Sequence, residues 1–507
     1  MKKMLLVIAC LLTTMVCWNA RAAQMPGPSL DLFTHPAYSC VKNYYVSTTG
    51  NDTNGGTTLA TAWLTLQHAN DIGRTAGDCV NVAPGTYAEG VLISSGGNYA
   101  SPTGYVVYRC TTMDACTIAS DNTKGYNGAI GWNTTNKPMT GNYIVIDGFT
   151  LTAPGQTEYG QGIDLWNGQN AFVPSVHHVW IMNSVISGYG QAGVNMSASE
   201  YFYVIHNKVF NNANSGCQAQ GSGIAFVTLM AVPGYTPTPS DLRNPVVGKI
   251  GPTLHNAIEW NVVYNNAITH CGNANSPYDT DGNNIINDTL NWGGIAGGVP
   301  YTGGVLIAFN VTYNAGGGGV HIYNSEYVTA ANNTCYNNYL DPFNQAVGAC
   351  IDTSNSYGDT IINNIAVSDP SPHTTCAFYT APYGMFRSAI GGGPPVGMPA
   401  DFFSHNITQL QGGYNSCWGQ YGTPNPTGET PMFNADSYSC SSNKCTTSPG
   451  WVDVGSTSVG TETTQAVGAN FALAPDSPAI GYGLTESYLA PSSVDVGACS
   501  STFKSCP

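Results

Sequence analysis

Charged residues are scarce in this sequence. Asp, Glu, Lys and Arg make up 8% of its 507 residues, whereas about a quarter is usual in soluble globular proteins. The few charges are mostly acidic, with 29 Asp and Glu against 14 Lys and Arg and a net charge of −15. A surface of this sign repels nucleic acids and anionic lipids. We therefore expect neither a nucleic-acid partner nor a membrane partner.

Several familiar motifs are also missing. There is no P-loop, no GxGxxG that opens a helix, no GxSxG, and no CxxC pair with zinc-finger spacing. These absences argue against nucleotide binding, serine esterases and structural zinc, so we expect no organic cofactor. Residues typical of long helices are few, whereas Gly, Asn, Thr, Ser, Tyr and Val dominate. That composition favours strands and turns.

Residues 1–22 have the features of a secretory signal. Two lysines near the start precede an apolar run, and the small-residue stretch "ARA" ends at Ala22. The run is too short to remain as a membrane span, so we expect cleavage after Ala22 and export to the periplasm or beyond the cell. The mature chain then keeps 11 Lys and Arg against 29 Asp and Glu, a formal charge of −18. We divide it into a lead segment, residues 23–43, and a single domain, residues 44–507.

Cysteine is frequent for an exported chain of this kind. Of 16 cysteines, two lie in the predicted signal, and the remaining even number predicts disulfides in an oxidising compartment. Cys110 with Cys116 and Cys440 with Cys445 are plausible near-neighbour pairs, and the other pairings stay open. We interpret residues 411–460, rich in Gly, Ser, Pro and Cys, as a disulfide-pinned excursion before the last coils.

One phrase recurs along the chain: a strand, an Asn, a small or β-branched residue, an aromatic residue, and then Asn or Gly. Examples are "IHNKVFNN", "EWNVVYNN" and "AFNVTYNAG". Such repeats without helical patterning predict a β-solenoid, in which stacked asparagine amides bond to each other and to turn backbone. The asparagines at the repeated position are Asn183, Asn207, Asn261, Asn310, Asn333 and Asn364.

The two ends of the domain resemble a known fold. Residues 44–87 contain a strand, a Gly-Asn-Asp turn, the short helical stretch "AWLTLQHANDI" and "GDCVNVAPGTY". This segment resembles the first turn and cap of right-handed parallel β-helix proteins of the pectate-lyase-like superfamily, above all family nine polysaccharide lyases and their secreted relatives. "NFALAPDSPAIGYG" followed by "DVGA" resembles their closing coils. The resemblance covers nearly all of residues 44–500 and implies an all-β, right-handed parallel β-helix with a short N-terminal capping helix.

A second repeated phrase predicts one face of this helix, because side chains alternate between the two faces of a strand. The inward column is predicted to contain Ile163, Val194, Ile224, Ile285, Val320 and Ile351. The outward positions are then Asp164, Asn195, Ala225, Ile286, His321 and Asp352, and beside them Trp166, Ser197, Val227, Asp288, Tyr323 and Ser354.

This outward face is the candidate site. His321 and Asp352 fall on adjacent coils, with backbones about 4.8 Å apart, and Asp288 lies one coil earlier. We take these three as candidate catalytic residues. The substrate-binding candidates are Asp164, Trp166, Asn195 and Tyr323, since aromatic faces stack on sugar rings. The alternative is that the face is ordinary solvated sheet.

The stretch "YDTDGNN" is a candidate calcium site. Asp279 and Asp281 supply oxygen ligands at alternate positions, which suits a hard cation. A tight Asp-Gly turn is the alternative explanation. A bound calcium ion would offset the negative charge of the mature chain and hold a uronate carboxylate.

The function that the resemblance implies first is cleavage of a uronic-acid glycan by β-elimination. The family nine lyases use a lysine base with aspartate-bound calcium; Lys208 is the candidate lysine in this chain, and His321 is the substitute base. A glycoside hydrolase with paired carboxylates and a non-catalytic carbohydrate-binding or surface protein are the alternatives. Long insertions at residues 229–254 and 272–304 would wall a cleft on adjacent coils. We expect a monomer with a polysaccharide partner.

Overall fold

The structure is a computed structural model of the chain. Within the part that it describes, no helix is both long and apolar enough to cross a bilayer. The described residues are 38–120, 128–132, 140–153, 160–165, 176–213, 221–237, 254–267, 282–290, 301–338, 340–341, 349–354, 356, 358–368, 383–388, 402–404, 406–410, 444–445, 451–453 and 470–473.

Three long parallel sheets build the domain, and from Asp78–Val82 to Tyr383–Ser388 the chain visits them in the order first, third, second on each coil. The strands of the first sheet are Lys42–Val46, Asp78–Val82, Val106–Cys110, Ile144–Asp147, Val179–Met182, Phe202–Ile205, Asn256–Glu259, Val305–Ala308, Val328–Ala331, Thr360–Ile362 and Phe402–Ser404. Those of the second sheet are Val91–Ile93, Ile130–Trp132, Ile163–Leu165, Val194–Ser197, Ile224–Val227, Ile285–Asp288, Val320–Tyr323, Ala349–Ser354 and Tyr383–Ser388. Those of the third sheet are Gly85–Tyr87, Cys116–Ala119, Phe149–Thr152, Val185–Ser187, Lys208–Phe210, Val262–Tyr264, Val311–Tyr313, Thr334–Tyr336, Ile365–Ser368, Ile407–Leu410 and Lys444–Cys445.

These sheets confirm the predicted parallel β-helix. Inward side chains from all three sheets meet in one continuous core, and residues such as Ile163, Val194 and Ile351 are fully buried. A separate short antiparallel pair joins Trp451–Asp453 to Asn470–Leu473. Each coil buries its apolar face only by stacking on its neighbours, which is why the repeat is needed for stability.

The N-terminal end of the second sheet is covered by the α-helix Leu66–Asp71, which follows the 3₁₀ turn Leu59–Thr61. The edge strand Val91–Ile93 donates from the Leu92 amide to Gln67 Oε1 at 2.7 Å. Asn70 Nδ2 in turn donates to the Leu92 carbonyl at 2.8 Å. The helix therefore satisfies edge groups that would otherwise invite pairing with another chain.

The corner between the first and third sheets is the most regular part of the coil. Its first residue adopts a left-handed conformation, for example at His206 (φ 58°), Trp260 (φ 57°) and Phe309 (φ 56°). Its second residue is the repeated asparagine in every coil from Phe202–Ile205 to Thr360–Ile362. In each coil from residue 179 to residue 368 this corner contains two residues, so the chain turns sharply at one fixed point.

The predicted asparagine ladder is present at this corner. Asn310 Oδ1 accepts from the backbone amide and from Nδ2 of Asn261, both at 3.0 Å. Asn310 Nδ2 donates to the Ile258 carbonyl at 2.8 Å and to Asn333 Oδ1 at 3.0 Å. The same pattern continues through Asn364 to Asn406. All of these amides are buried, so the ladder replaces hydrogen bonds that water would otherwise supply.

One predicted member of the ladder is wrong by one residue. Strand pairing places Ser184, not Asn183, opposite Asn207, and the Ser184 amide donates to Asn207 Oδ1 at 3.0 Å. Asn183 instead takes the left-handed position (φ 50°) and donates from Nδ2 to Asp147 Oδ1 at 2.8 Å. In the phrase "MNSV" the asparagine stands one position before the ladder position, so the sequence predicts the register of this corner wrongly by one residue.

The disulfide between Cys110 and Cys116 is confirmed. Two further disulfides, Cys40–Cys79 and Cys335–Cys350, were left open by the sequence and join residues 39 and 15 positions apart. Cys440, and with it the suggested pair with Cys445, lies outside the described residues, as does nearly all of the excursion at 411–460.

Candidate functional site

The second sheet has the register that the sequence predicts. Ile286, His321 and Asp352 lie side by side on three adjacent strands, and Asp288 lies beside Tyr323. Towards the N-terminus the same column continues through Ala225 and Asn195 to Asp164. Trp166 lies outside the described residues.

His321 and Asp352 form a hydrogen-bonded pair on this face. His321 Nδ1 donates to Asp352 Oδ1 at 2.5 Å. The imidazole is 6% exposed and the carboxylate 0% exposed. A carboxylate held on Nδ1 fixes the tautomer of the ring and stabilises its protonated form, so proton transfer to or from a ligand uses Nε2.

Tyr323 lies two residues after His321 on the same face of the same strand. Its ring is nearly parallel to the imidazole, at an interplanar angle of 20° and a centroid distance of 5.8 Å. Tyr323 is partly exposed, and among the described residues its hydroxyl has no hydrogen-bond partner. The phenol can therefore donate to a ligand that contacts His321.

Asp164 and Asn195 form a separate polar pair further along the column. Asn195 Nδ2 donates to Asp164 Oδ1 at 3.0 Å. Four strand spacings separate Asp164 from His321, a distance of about 19 Å, so the two pairs cannot act on one bond. Burial raises the pKa of Asp164 from its ordinary 3.8 to about 6, and the amide of Asn195 partly opposes that shift.

The raised pKa of Asp164 predicts a pH-dependent stability effect. A carboxyl group whose pKa is higher in the folded state favours folding below its unfolded pKa, and this contribution is lost as the pH rises through about 6. Asp164→Asn is therefore expected to stabilise the protein by roughly 2 kcal/mol at pH 8 and by almost nothing at pH 3. Urea denaturation of both proteins at the two pH values measures the difference, and an equal effect at both would contradict the assignment.

Lys208 is not brought to this site. It lies in the third sheet, between Val185 and Val262, whereas His321 lies in the second. Desolvation lowers the pKa of Lys208, and the nearby Asp114 carboxylate opposes that shift. The lysine predicted as a possible catalytic base is thus separated from the three other catalytic candidates by the core of the β-helix.

The predicted calcium ligands Asp279 and Asp281 lie outside the described residues. Among the residues that are described, no three His, Cys, Asp or Glu side chains are grouped so that they could hold a metal ion.

A second carboxylate–imidazole pair was not predicted from the sequence. Glu200 Oε2 contacts His255 Nδ1 at 2.6 Å and accepts from the Tyr301 hydroxyl at 3.1 Å. Glu200 Oε1 accepts from the backbone amide of Val232 at 2.8 Å. The pair thus ties the described part of a long connection, residues 229–237, to the corner after the second sheet. The repeated "SEY" at 199–201 and 325–327 marks the corner in the sequence, but nothing there indicates that His255 returns to it.

Between residues 179 and 368, the longest connections between successive strands of the β-helix adjoin the second sheet. The two connections that follow Ile224–Val227 and Ile285–Asp288 contain 28 and 16 residues, and the connection that precedes Ile285–Asp288 contains 20. The corner on the far side, between the first and third sheets, keeps its two residues on the same coils. Long connections thus begin and end at both margins of the sheet that carries His321, the usual arrangement for a binding site on a rigid scaffold.

The protein is therefore a parallel β-helix protein with a histidine–aspartate pair on one outward face. No protein-family model matches the chain, and no curated protein matches it. Among solved structures it is similar to the pectate lyase Pel9A, with 16% identity, a TM-score of 0.46, and coverage of 93% of this chain and 98% of that one. It is also similar to an alginate lyase from Paenibacillus sp. str. FPU-7, with 14% identity, a TM-score of 0.35, and coverage of 62% of this chain and 95% of that one. A third similar structure is a GH136 lacto-N-biosidase from Eubacterium ramulus, with 11% identity, a TM-score of 0.37, and coverage of 72% of this chain and 60% of that one. At these values the likenesses establish no family and identify no reaction.

Proposed function

We propose that this protein is an exported polysaccharide lyase that cleaves a uronic-acid glycan by β-elimination at the outward face of the second sheet. The observation that carries the proposal is the buried contact between His321 Nδ1 and Asp352 Oδ1, 2.5 Å long, with a tyrosine on the same strand. This combination offers a base, a group that orients the base, and a proton donor. Long connections also begin and end at both margins of this sheet, where binding residues are usually found.

The reaction needs a base for the proton next to the uronate carboxyl group. His321 Nε2 would accept that proton, and Asp352 would stabilise the resulting imidazolium through Nδ1. The developing negative charge on the substrate carboxyl group also needs a counter-charge. Because the mature chain is strongly acidic, calcium bound near Asp279, Asp281 and Asp288 remains part of the proposal as the source of that counter-charge.

Elimination is favoured over hydrolysis because Asp352, one carboxylate of the possible hydrolase pair, is held by His321. Asp288 and Asp352 lie two strands apart and are offset by two residues along the strand, so their backbones are about 12 Å apart. Glycoside hydrolases hold their two carboxyl groups about 5 to 9.5 Å apart, a separation that side chains on backbones about 12 Å apart can reach. Asp352 is committed to His321 instead, which leaves it poorly placed to act directly on a sugar.

The proposal is tested by a 235 nm absorbance screen of the mature protein on uronic-acid polysaccharides, with calcium and with chelator. Rising absorbance reports the unsaturated product of elimination. A rise that disappears with chelator would support the calcium component. New reducing ends without any rise would instead support a hydrolase, and no change in either assay would support a binding or surface protein.

A further inference from the structure

We infer that the site performs syn elimination, with Tyr323 as the proton donor, on uronates whose C5 hydrogen and C4 oxygen are cis. The inference rests on the proposed function and specifies its substrate. In 1,4-linked chains this cis arrangement occurs in glucuronate and mannuronate. In galacturonate and guluronate the two substituents are trans.

The side chains of His321 and Tyr323 point in the same direction. The two residues are separated by one residue on the strand Val320–Tyr323, so both project from the same outward face. Their rings are 5.8 Å apart and lie within 20° of parallel. A sugar on this face therefore meets the imidazole and the phenol from the same side.

The stereochemistry of the substrate must match that arrangement. When the C5 hydrogen and the C4 oxygen are cis, one face of the sugar presents both the proton to be removed and the oxygen to be protonated. When they are trans, a base and an acid on one protein face cannot reach both. The opposite side of the sugar would then need its own donor, which the strand Val320–Tyr323 does not supply.

The electrons and protons balance without a further reactant. The C5–H bond breaks, its proton moves to His321 Nε2, and its electron pair forms the C4=C5 double bond. The C4–O bond breaks at the same time, and the leaving oxygen takes the Tyr323 proton. After release of the products, the imidazolium returns a proton to the phenolate through solvent.

Tyr323 is suited to this role by its surroundings. Its hydroxyl has no hydrogen-bond partner among the described residues, whereas the ring is held beside His321. Asp288 is its neighbour on the preceding strand. The phenol is thus positioned by its ring, and its proton is available to a bound sugar.

The experiment compares four homopolymers at 235 nm: polyglucuronate, polymannuronate, polygalacturonate and polyguluronate. We expect the wild type to cleave one or both cis polymers at least ~10-fold faster than either trans polymer. Tyr323→Phe is expected to lower kcat on the preferred polymer by ~100-fold with little change in KM, since general acids typically contribute 10²–10⁴-fold. Tyr99→Phe, at an exposed tyrosine in the connection after Val91–Ile93, six strand spacings from the strand of Tyr323, is the matched control and should retain wild-type activity.

A leaving group that needs no proton isolates the role of the phenol. The second substrate is a uronide of the preferred configuration that carries a 4-nitrophenoxy group at C4, which leaves as 4-nitrophenolate. On this substrate Tyr323→Phe should approach the wild-type rate. A merely structural role of Tyr323 would lower both rates equally and would overturn the assignment. Equal or faster cleavage of a trans polymer would overturn the substrate class while the proposed lyase function stands. No absorbance from any of the four polymers, with or without calcium, would contradict the proposed function itself.

Discussion

His321→Ala is expected to reduce the rate of elimination by about 10³-fold, because the variant loses the proposed base. The loss should appear in kcat on whichever uronan the wild type cleaves, measured as the initial rise of absorbance at 235 nm. Asp352→Asn should lower kcat as well, since an amide cannot stabilise the imidazolium as a carboxylate does. It should also change the pH profile of kcat, because the carboxylate favours the protonated imidazole.

The control for this prediction is His68→Ala. His68 lies in the N-terminal helix beside the edge strand Val91–Ile93, six strand spacings from the strand of His321, and packs edge-on against Trp63. It should retain full activity, and circular dichroism should show that His321→Ala is folded. If folded His321→Ala cleaved the same glycan at the wild-type rate, His321 would not be the base.

Asn310→Ala is expected to destabilise the protein by about 4 kcal/mol. The truncation leaves the backbone amide and Nδ2 of Asn261 without their shared acceptor, and it removes the side-chain donors to the Ile258 carbonyl and to Asn333 Oδ1. Each buried polar group that loses its partner costs about 1–3 kcal/mol. The shift in the urea midpoint, with the slope of the transition compared between the two proteins, measures the effect.

Asn98→Ala provides the matched comparison. Asn98 is exposed in a loop, where its backbone amide donates to the Gly104 carbonyl, a bond that the substitution retains. The substitution should change the free energy of unfolding by no more than about 0.5 kcal/mol. If the two variants had equal stabilities, the buried ladder would contribute no more than surface asparagines do.

The alternation of side chains was sufficient to predict the second sheet. Ile163 through Ile351 point inward because each short strand begins with a small residue followed by an apolar one, a purely local signal. The same local signal failed at Asn183, where two polar residues in succession allowed either to be read as the corner. Register at such a point is decided by pairing with the next coil, which the phrase itself does not contain.

The sequence predicted only those contacts of the candidate site that follow from the pairing register of the strands. His321 and Asp352 could be paired because both follow from positions in a strand. Glu200 and His255 are brought together by the path of a 28-residue connection, and no periodicity constrains such a path. Lys208 shows a second limit of prediction from sequence. Its strand can be recognised, but the sequence does not show that this strand belongs to the third sheet rather than to the sheet of His321.

The fixed corner between the first and third sheets has a consequence for protein engineering. Every coil from residue 179 to residue 368 passes this corner in two residues, with a left-handed residue followed by the ladder position. Between residues 179 and 368 the margins of the second sheet instead have connections of 4 to 28 residues. A foreign peptide grafted into the 28-residue connection between Ile224–Val227 and Asn256–Glu259 would extend a connection that is already long and leave the stack unchanged. The same peptide placed after Phe309 would displace Asn310 and split the stack into two halves. The β-helix is thus a scaffold on which loops can be exchanged along one side only.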